Sequence, residues 1–176
     1  MKLFLIGFLF IFFDYDVIFE GGHIINFIPD FVGYLPIIIG CIKLHPESNR
    51  FFRVRILAAI LAVWSVTAFT LGAVAVQLPT VVETTISVAA TLLSLYMTYE
   101  FCEGVRVMER ARKRPIGASS LSSAWIVLCM ANLLFYLTAF FPAIYLLCLI
   151  LQLLAIFWFE YAVYSVDKGL SSPKRR

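Results

Sequence analysis

The sequence predicts an all-α integral membrane protein, a bundle of six helices built from three hairpins with both termini in the cytoplasm. Of the 176 residues, 62% are hydrophobic and 14% are charged, whereas soluble domains have roughly 45–50% apolar and about 25% charged residues. Long apolar runs alternate with short polar connections, and every second connection is basic. We expect one domain over residues 1–166 and a basic cytoplasmic tail over 167–176. The expected spans cover about residues 3–19, 27–44, 52–76, 80–100, 121–140 and 142–164.

The first apolar run, residues 3–13, is short for a span, which needs about 20 residues. It reaches that length only by continuing through Asp14 and Asp16 to Phe19, or it ends early where the bilayer is thinner. No small-residue cleavage site follows it, so we interpret it as a retained helix and not as a removed signal peptide. Residues 14–27 then form either an outer loop or a partly re-entrant one, and we favour an ordered loop packed on the bundle.

The second apolar run is the element around which we expect the bundle to be organised. Pro29 lacks a backbone donor and suits a first helical turn, with Asn26 as its cap and Asp30 at the positive end of the helix dipole. Gly33 and Gly40 are seven residues apart and therefore share one helix face. Because small residues let membrane helices approach closely, this face predicts a packing surface.

The later spans have clear boundaries in the sequence. The fourth is expected to continue as a helix past the membrane to Arg112. Glu109 and Lys113 form a favourable i,i+4 pair there, and no helix breaker comes before Pro115. Serines within residues 117–120 can cap the fifth span.

The orientation follows from the distribution of lysine and arginine. Basic connections face the cytoplasm in multi-spanning proteins, so the alternation predicts a multi-pass protein of the cytoplasmic membrane. The basic segments are residues 43–55, residues 106–114 and the C-terminal tail, and the segments without lysine or arginine are 14–23, 77–83 and 140–142.

Small and hydroxyl side chains recur at helical spacing on spans three and four, and we expect these two stripes to face each other. They are either a packing surface or a hydroxyl-lined path, and packing is the favoured interpretation. In the last hairpin, Asn132 and Gln152 lie equally far from Pro142, so their amides are expected to bond across the pair. The stripes are Ala58, Ala62, Ser65, Ala68, Gly72 and Ala75 on span three, and Thr84, Ser87, Thr91, Ser94 and Thr98 on span four.

Two groups of charged residues are candidates for chemistry. On the outer side, an acidic cluster with one histidine resembles the oxygen-rich sets that attract hard cations, but a solvated loop with Asp30 as a helix-end charge is the favoured interpretation. On the inner side, glutamates lie near arginines, as structural pairs or as proton-coupling carboxylates. The outer cluster is Asp14, Asp16, Glu20, His23 and Asp30, and the inner group is Glu100, Glu103 and Glu160 with Arg53, Arg55 and Arg106.

Catalytic patterns are sparse. Cys41 and His45 lie at i and i+4 on one predicted helix face, which is the minimum for a cysteine nucleophile, but Pro46 also places His45 at a helix end. The four cysteines form no CxxC pair, so neither a disulfide framework nor a zinc site is indicated, and no cofactor is expected. Because the basic residues sit beside apolar spans, no nucleic-acid partner is expected.

The segment PDFVGYLPIIIG, from Pro29 to Gly40, resembles a stretch in small bacterial multi-spanning membrane proteins of unassigned activity that carry a PDFIGY-like sequence after a short first helix. The resemblance covers residues 1–44 and implies a bacterial membrane setting. The layout is also similar to the substrate-binding subunits of energy-coupling-factor transporters, although the first helix lacks their Ala-x-x-x-Ala face.

These observations predict a non-enzymatic membrane protein, either a small transporter or channel or an accessory subunit. The alternatives are an intramembrane thiol enzyme using Cys41 and His45, and a substrate-binding subunit of a larger transporter. The expected partners are the lipid bilayer and a membrane subunit or a second copy of the chain.

Overall fold

The structure, a computed structural model, describes residues 1–12, 16–18, 24–26, 30–74, 79–138 and 141–171. It is all-α in class, with six helices and one pair of three-residue strands within these ranges. The helices are α1 (Lys2–Phe12), α2 (Phe31–Leu44), α3 (Arg50–Ala73), α4 (Thr80–Arg112), α5 (Ala118–Leu137) and α6 (Tyr145–Ser171), and the strands are β1 (Asp16–Ile18) and β2 (Ile24–Asn26).

Three of the described helices are long and apolar enough to cross a membrane. They comprise 22 residues of α3 (Arg50–Leu71), the 20 residues of α5 and the 27 residues of α6, and each reaches the roughly 20 residues that a span requires. The helices α1 and α2 have 11 and 14 residues and are shorter than this. The fold class is therefore confirmed at the level of an all-α chain with three candidate spans, while the six-span topology stays a prediction.

The chain divides into two compact units, one of Leu3–Phe101 and one of Cys102–Arg176 with Met1–Lys2. In the first unit, fully buried aromatic rings form the core: the Phe101 centroid lies 4.6 Å from that of Phe4 and 5.2 Å from that of Phe8. In the second unit, α5 and α6 pack along their apolar faces. The predicted single domain over residues 1–166 stays a prediction.

The first helix is shorter than the predicted span over residues 3–19. In the structure α1 ends at Phe12, and Asp16 to Ile18 forms β1 instead of continuing the helix. β1 pairs antiparallel with β2, with Asp16 opposite Asn26, and β2 lies against α3. The reason lies in local sequence, because the β-branched residues of the two segments favour strands over a helix.

The second helix begins later than the sequence indicates. Its first residue is Phe31 and its N-terminal flanking residue is Asp30, whose side chain makes no capping hydrogen bond. Asn26, the predicted cap, belongs to β2, and Pro29 lies outside the described residues. The Phe31 N–H instead donates to Ser65 Oγ of α3 at 3.0 Å, so a neighbouring helix satisfies one of the donors that a helix start leaves open.

The boundaries of the later helices agree better with the sequence. The predicted end of the fourth helix at Arg112 is confirmed. The fifth helix starts at Ala118 and not at residue 121, after Gly117 in the left-handed conformation with φ 98°. The sixth extends to Ser171, beyond the predicted 164.

Candidate functional site

A buried carboxylate bound by two arginines is the most highly organised polar group in the unit Leu3–Phe101. Arg50, in the first turn of α3, donates from Nη1 to both carboxylate oxygens of Glu100 on α4, at 2.8 and 3.0 Å. Arg53, one turn further along α3, donates to Oε1 at 3.4 Å. The Tyr96 hydroxyl donates to the same oxygen at 3.0 Å, from one turn earlier on α4. The four side chains join α3 to α4, and we call them the Glu100 cluster.

The electrostatics of the Glu100 cluster explain why these residues belong together. The first turn of α3 carries arginines at the positive end of its own dipole, which is unfavourable without a nearby anion. The Glu100 side chain is 1% exposed, and a buried carboxylate requires charged or hydrogen-bonding partners. One carboxylate and two guanidinium groups leave the cluster with a formal charge of +1, and its outer member, Arg53, is 57% exposed.

The other arginines of the predicted inner group, Arg55 and Arg106, have separate partners. The Arg55 guanidinium carbon lies 4.9 Å from the centroid of the Phe52 ring. Arg106 donates to Glu103 at 2.5 Å and to Ser122 Oγ at 3.2 Å. Glu100 and Glu103 pair with arginines as expected, whereas Arg55 contacts an aromatic ring. The main partner of Glu100 is Arg50, which the sequence argument did not single out.

An apolar groove of about 310 Å³ lies between α3 and α4, in the same unit as the Glu100 cluster. Arg53 of α3 contacts Glu100 of α4. The groove begins one heptad away from this contact on both helices, at Ile60, seven residues after Arg53, and at Leu93, seven residues before Glu100. Seven residues of helix rise about 10 Å. The lining residues are Ile60, Leu61, Trp64, Ile86, Ala89, Ala90 and Leu93.

Where the groove lies, apolar side chains and none of the residues of the two predicted stripes line the gap between α3 and α4. Ser65 instead accepts the hydrogen bond from α2. On α4, Thr85, Thr91 and Thr98 donate to carbonyl oxygens one turn earlier on their own helix, at 2.7, 3.0 and 3.1 Å. Such bonds satisfy the hydroxyl donors of these three threonines within their own helix, and the choice between a packing surface and a hydroxyl-lined path stays a prediction.

The helices α1 and α2 approach each other closely at Gly33 and Gly40, the two glycines predicted to form a packing face. A Cβ placed on Gly33 would lie 2.6 Å from the carbonyl oxygen of Gly7, and one placed on Gly40 would lie 2.6 Å from the Phe4 ring. A Cβ on Gly7 would in turn lie 2.7 Å from the carbonyl oxygen of Gly33. Real Cβ atoms essentially never approach so closely. Gly7 was missed at the sequence level because it stands alone in a run of large apolar residues.

Cys41 and His45 lie one turn apart but in different environments. Cys41 is fully buried on α2. The His45 N–H donates to the Cys41 carbonyl oxygen and begins a short 3₁₀ turn, His45–Glu47. The His45 side chain is exposed, and its ring packs edge-on against Phe52 at a centroid distance of 5.8 Å. A thiol in the core and an imidazole at the surface are poorly placed for joint catalysis.

Most side chains of the predicted outer acidic cluster lie outside the described residues. The side chains of Asp14, Asp16, Glu20 and His23 lie outside the described residues, and Asp30 alone is described. Within the part of the chain that the structure describes, no group of three or more histidine, cysteine, aspartate or glutamate side chains is placed to hold a metal ion. The metal site stays a prediction.

The last hairpin lacks the amide bond that its symmetry indicates. Asn132 donates to the Leu128 carbonyl oxygen on its own helix at 2.9 Å. Gln152 Oε1 is buried without a hydrogen-bond partner among the described residues, and so is Glu160 Oε1, on the same helix. A side-chain amide has a backbone carbonyl within reach one turn away, and this local bond replaces the one across the hairpin.

Glu109 organises the connection between α4 and α5. Its Oε2 accepts hydrogen bonds from the Ile116 and Ala118 N–H groups at 2.8 and 2.9 Å. Partial burial raises the pKa of the Glu109 carboxyl, but these bonds and one from the Gly117 N–H outweigh it, so the pKa lies below its ordinary value. The carboxylate thus caps the start of α5, where a helix dipole favours an anion.

Together, the fold and the clusters define a class: an all-α protein with three helices that are long and apolar enough to cross a membrane. No protein-family model, no curated protein and no solved structure matches the chain. The resemblance of Pro29–Gly40 to a stretch of small bacterial membrane proteins therefore stays a prediction.

Proposed function

We propose that the chain is a non-enzymatic integral membrane protein of the bacterial cytoplasmic membrane, crossing the bilayer six times, and that it acts as an accessory subunit. The observation that carries the proposal is the outward-facing apolar surface of its three long helices. Val63 of α3, Ile126 of α5 and Leu146 of α6 are 69%, 55% and 66% exposed, and many other large apolar side chains on these helices are exposed as well. Surfaces of this extent are unfavourable in water and satisfied in lipid.

The two short helices are compatible with six crossings. At 1.5 Å per residue, α1 and α2 are about 17 and 21 Å long, against a hydrocarbon core of about 30 Å. Short spans are accommodated by local thinning of the bilayer and by flanking residues. The close approach of α1 to α2 at Gly7 and Gly33 supports this, because packed helices share the cost of a thinned region.

An accessory role is favoured over a channel because several polar groups of the unit Leu3–Phe101 are used internally. Thr85, Thr91 and Thr98 of α4 bond to their own helix, Glu100 is bound by arginines, and the groove between α3 and α4 is apolar. A conducting path needs polar groups facing a water-filled space.

A second candidate function, proton-coupled transport, is favoured by one observation. Glu160 is 9% exposed, and its Oε1 has no hydrogen-bond partner among the described residues. An ionisable residue buried in a membrane helix is a functional-site hypothesis by default. Purified protein in liposomes with an imposed pH gradient separates the candidates: a transporter dissipates the gradient and Glu160→Gln abolishes this, whereas an accessory subunit leaves liposomes as tight as empty ones.

The thiol-enzyme alternative is disfavoured by the environments of Cys41 and His45. Alkylation with a membrane-permeant maleimide tests it, with the buried Cys102 as internal reference. A catalytic Cys41 reacts faster than Cys102 because the thiolate is the nucleophile, and equal rates exclude the enzyme. A substrate-binding subunit of a larger transporter would keep the accessory role and add a ligand.

The experiment that tests membrane insertion is fractionation of expressing bacteria. We expect the protein in the cytoplasmic-membrane fraction, resistant to alkaline carbonate and extracted only by detergent. Release into the carbonate supernatant would contradict the proposal, since carbonate removes proteins held at the membrane surface and leaves spanning helices in place.

A further inference from the structure

We propose that the α3–α4 pair binds one anionic phospholipid, with the phosphate at Arg50 and Arg53 and an acyl chain in the apolar groove that begins at Ile60 and Leu93. The inference rests on the proposed membrane insertion. It combines two features of one helix pair, a cationic end and an apolar groove. The cationic end suits the headgroup of a phospholipid, and the groove suits its acyl chain.

The cationic end is both fixed and accessible. Arg50 is held by two short hydrogen bonds to Glu100, which is nearly inaccessible to solvent. Arg53 makes one longer contact of 3.4 Å with the same carboxylate and is more than half exposed. A guanidinium group has five N–H donors in a planar fork that suits phosphate oxygens. The positive end of the α3 dipole lies at the same place and also favours an anion.

The apolar groove lies at a distance from the arginines that a phospholipid can span. Ile60 lies seven residues after Arg53 and Leu93 lies seven residues before Glu100, or about 10 Å along each helix. The groove then continues to Trp64 and Ile86 on its two walls. An acyl chain descending from a phosphate at the start of α3 enters a groove whose lining offers almost no polar atoms, where a free phosphate or a nucleotide would find no partner.

The predicted topology places this site at the inner leaflet. The basic segment over residues 43–55 is expected to face the cytoplasm, and anionic lipids of the cytoplasmic leaflet attract basic residues near the surface by about 1 kcal/mol each. Two arginines at the end of a groove therefore favour an anionic headgroup over a zwitterionic one.

The test uses the full chain, purified in a mild detergent and titrated with phosphatidylglycerol or phosphatidylcholine in mixed micelles. Bound lipid is counted by native mass spectrometry, and melting temperature is followed in parallel. Two variants address the two ends of the site: Arg53→Gln removes the accessible cation, and Ala89→Phe fills the groove. Arg110→Gln is the matched control, because it removes an exposed arginine of α4 outside this site. Arg53→Gln leaves Glu100 paired with Arg50, so the fold should survive, and melting without lipid verifies this.

We expect one phosphatidylglycerol per chain, with a rise in melting temperature that phosphatidylcholine does not reproduce. Arg53→Gln should weaken binding about fivefold, the equivalent of ~1 kcal/mol for one arginine near the surface. Ala89→Phe should also weaken binding, because the acyl chain needs the space that the small alanine side chain leaves in the groove. Arg110→Gln should bind as the unaltered protein does.

Three results would overturn the inference: equal binding of both lipids, equal binding by all four proteins, or full protection by glycerol phosphate alone, which would assign the arginines to a free phosphate. Failure of the inference is distinguishable from failure of the proposed function. A protein that resists carbonate extraction but shows no lipid selectivity contradicts only the lipid site, whereas a protein released by carbonate contradicts membrane insertion itself.

Discussion

At the level of single residues, Glu100 holds α3 to α4 because its buried carboxylate depends on Arg50. We expect Arg50→Ala to lower the free energy of unfolding by about 2 kcal/mol, less than the ~3–5 kcal/mol typical of breaking a fully buried pair, since Arg50 is 36% exposed and Arg53 and Tyr96 remain. Arg53→Ala, which loses one long contact, should cost below about 1 kcal/mol. Thermal melting in detergent compares the two variants. A larger loss of stability for Arg53→Ala than for Arg50→Ala would contradict the expectation that the shorter contacts of Arg50 with Glu100 are the stronger ones.

Glu109 should make the α4–α5 connection sensitive to acid. A carboxyl whose pKa is lowered on folding contributes stability that is fully present above its unfolded pKa and is lost as the pH falls through the folded one. We expect the melting temperature to fall on acidification below about pH 4.3, the ordinary glutamate pKa, and Glu109→Gln to remove part of that fall. At neutral pH the substitution should cost about 1 kcal/mol, as for other helix caps. Glu47→Gln is a control on a different connection, and an identical acid response in the two variants would exclude this role.

Residue-level pairing was the least predictable part of the molecule. The sequence indicated that Glu100 pairs with arginine, but choosing Arg50 requires knowing the register of α3 against α4, which length and hydropathy do not specify. In the same way, Glu109 was expected to pair with Lys113 within a helix, whereas Lys113 has left the helix with φ 49° and Glu109 binds backbone N–H groups across the turn. The boundary at Arg112 was right although the pair invoked for it does not form.

At the level of elements, the contact of α1 with α2 should distinguish two glycines of the same face. A Cβ on Gly33 would meet the backbone of α1 at Gly7, which cannot move alone, whereas a Cβ on Gly40 would meet a side chain, the ring of Phe4. We expect Gly33→Ala to destabilise more than Gly40→Ala, and leucine at either site to cost about 1–3 kcal/mol through overpacking. Melting in detergent measures both series.

The control for this series is Ile38→Leu on the same helix, a nearly isosteric change that should be almost silent. If both leucine variants melt like the unaltered protein, α1 and α2 do not pack through these glycines.

Helix existence was predictable from apolar runs, and helix starts were less so. All six helices overlap predicted spans because each carries a run of mainly apolar residues. The start of α2 was placed too early, since Asn26 and Pro29 fit a helix start locally, while pairing of Asn26 with Asp16 in the strands is a contact between distant residues. The sequence also could not distinguish a groove from a packed surface between α3 and α4, because this depends on the rotation of each helix about its own axis.

At the level of the whole molecule, the alternation of basic and non-basic connections sets a testable topology. We expect single cysteines introduced at Gly22 and Leu78 to react with an impermeant maleimide in intact cells, and those at Ser48 and Gly117 to react only after permeabilisation. The native thiols Cys41, Cys102 and Cys148 are buried, and a background in which all four native cysteines are replaced by serine or alanine removes their contribution. Ser48 and Gly117 lie on different connections, so their common protection tests two basic segments independently. Labelling of Gly117 from outside would reverse the last hairpin and place the Glu109 turn outside the cytoplasm.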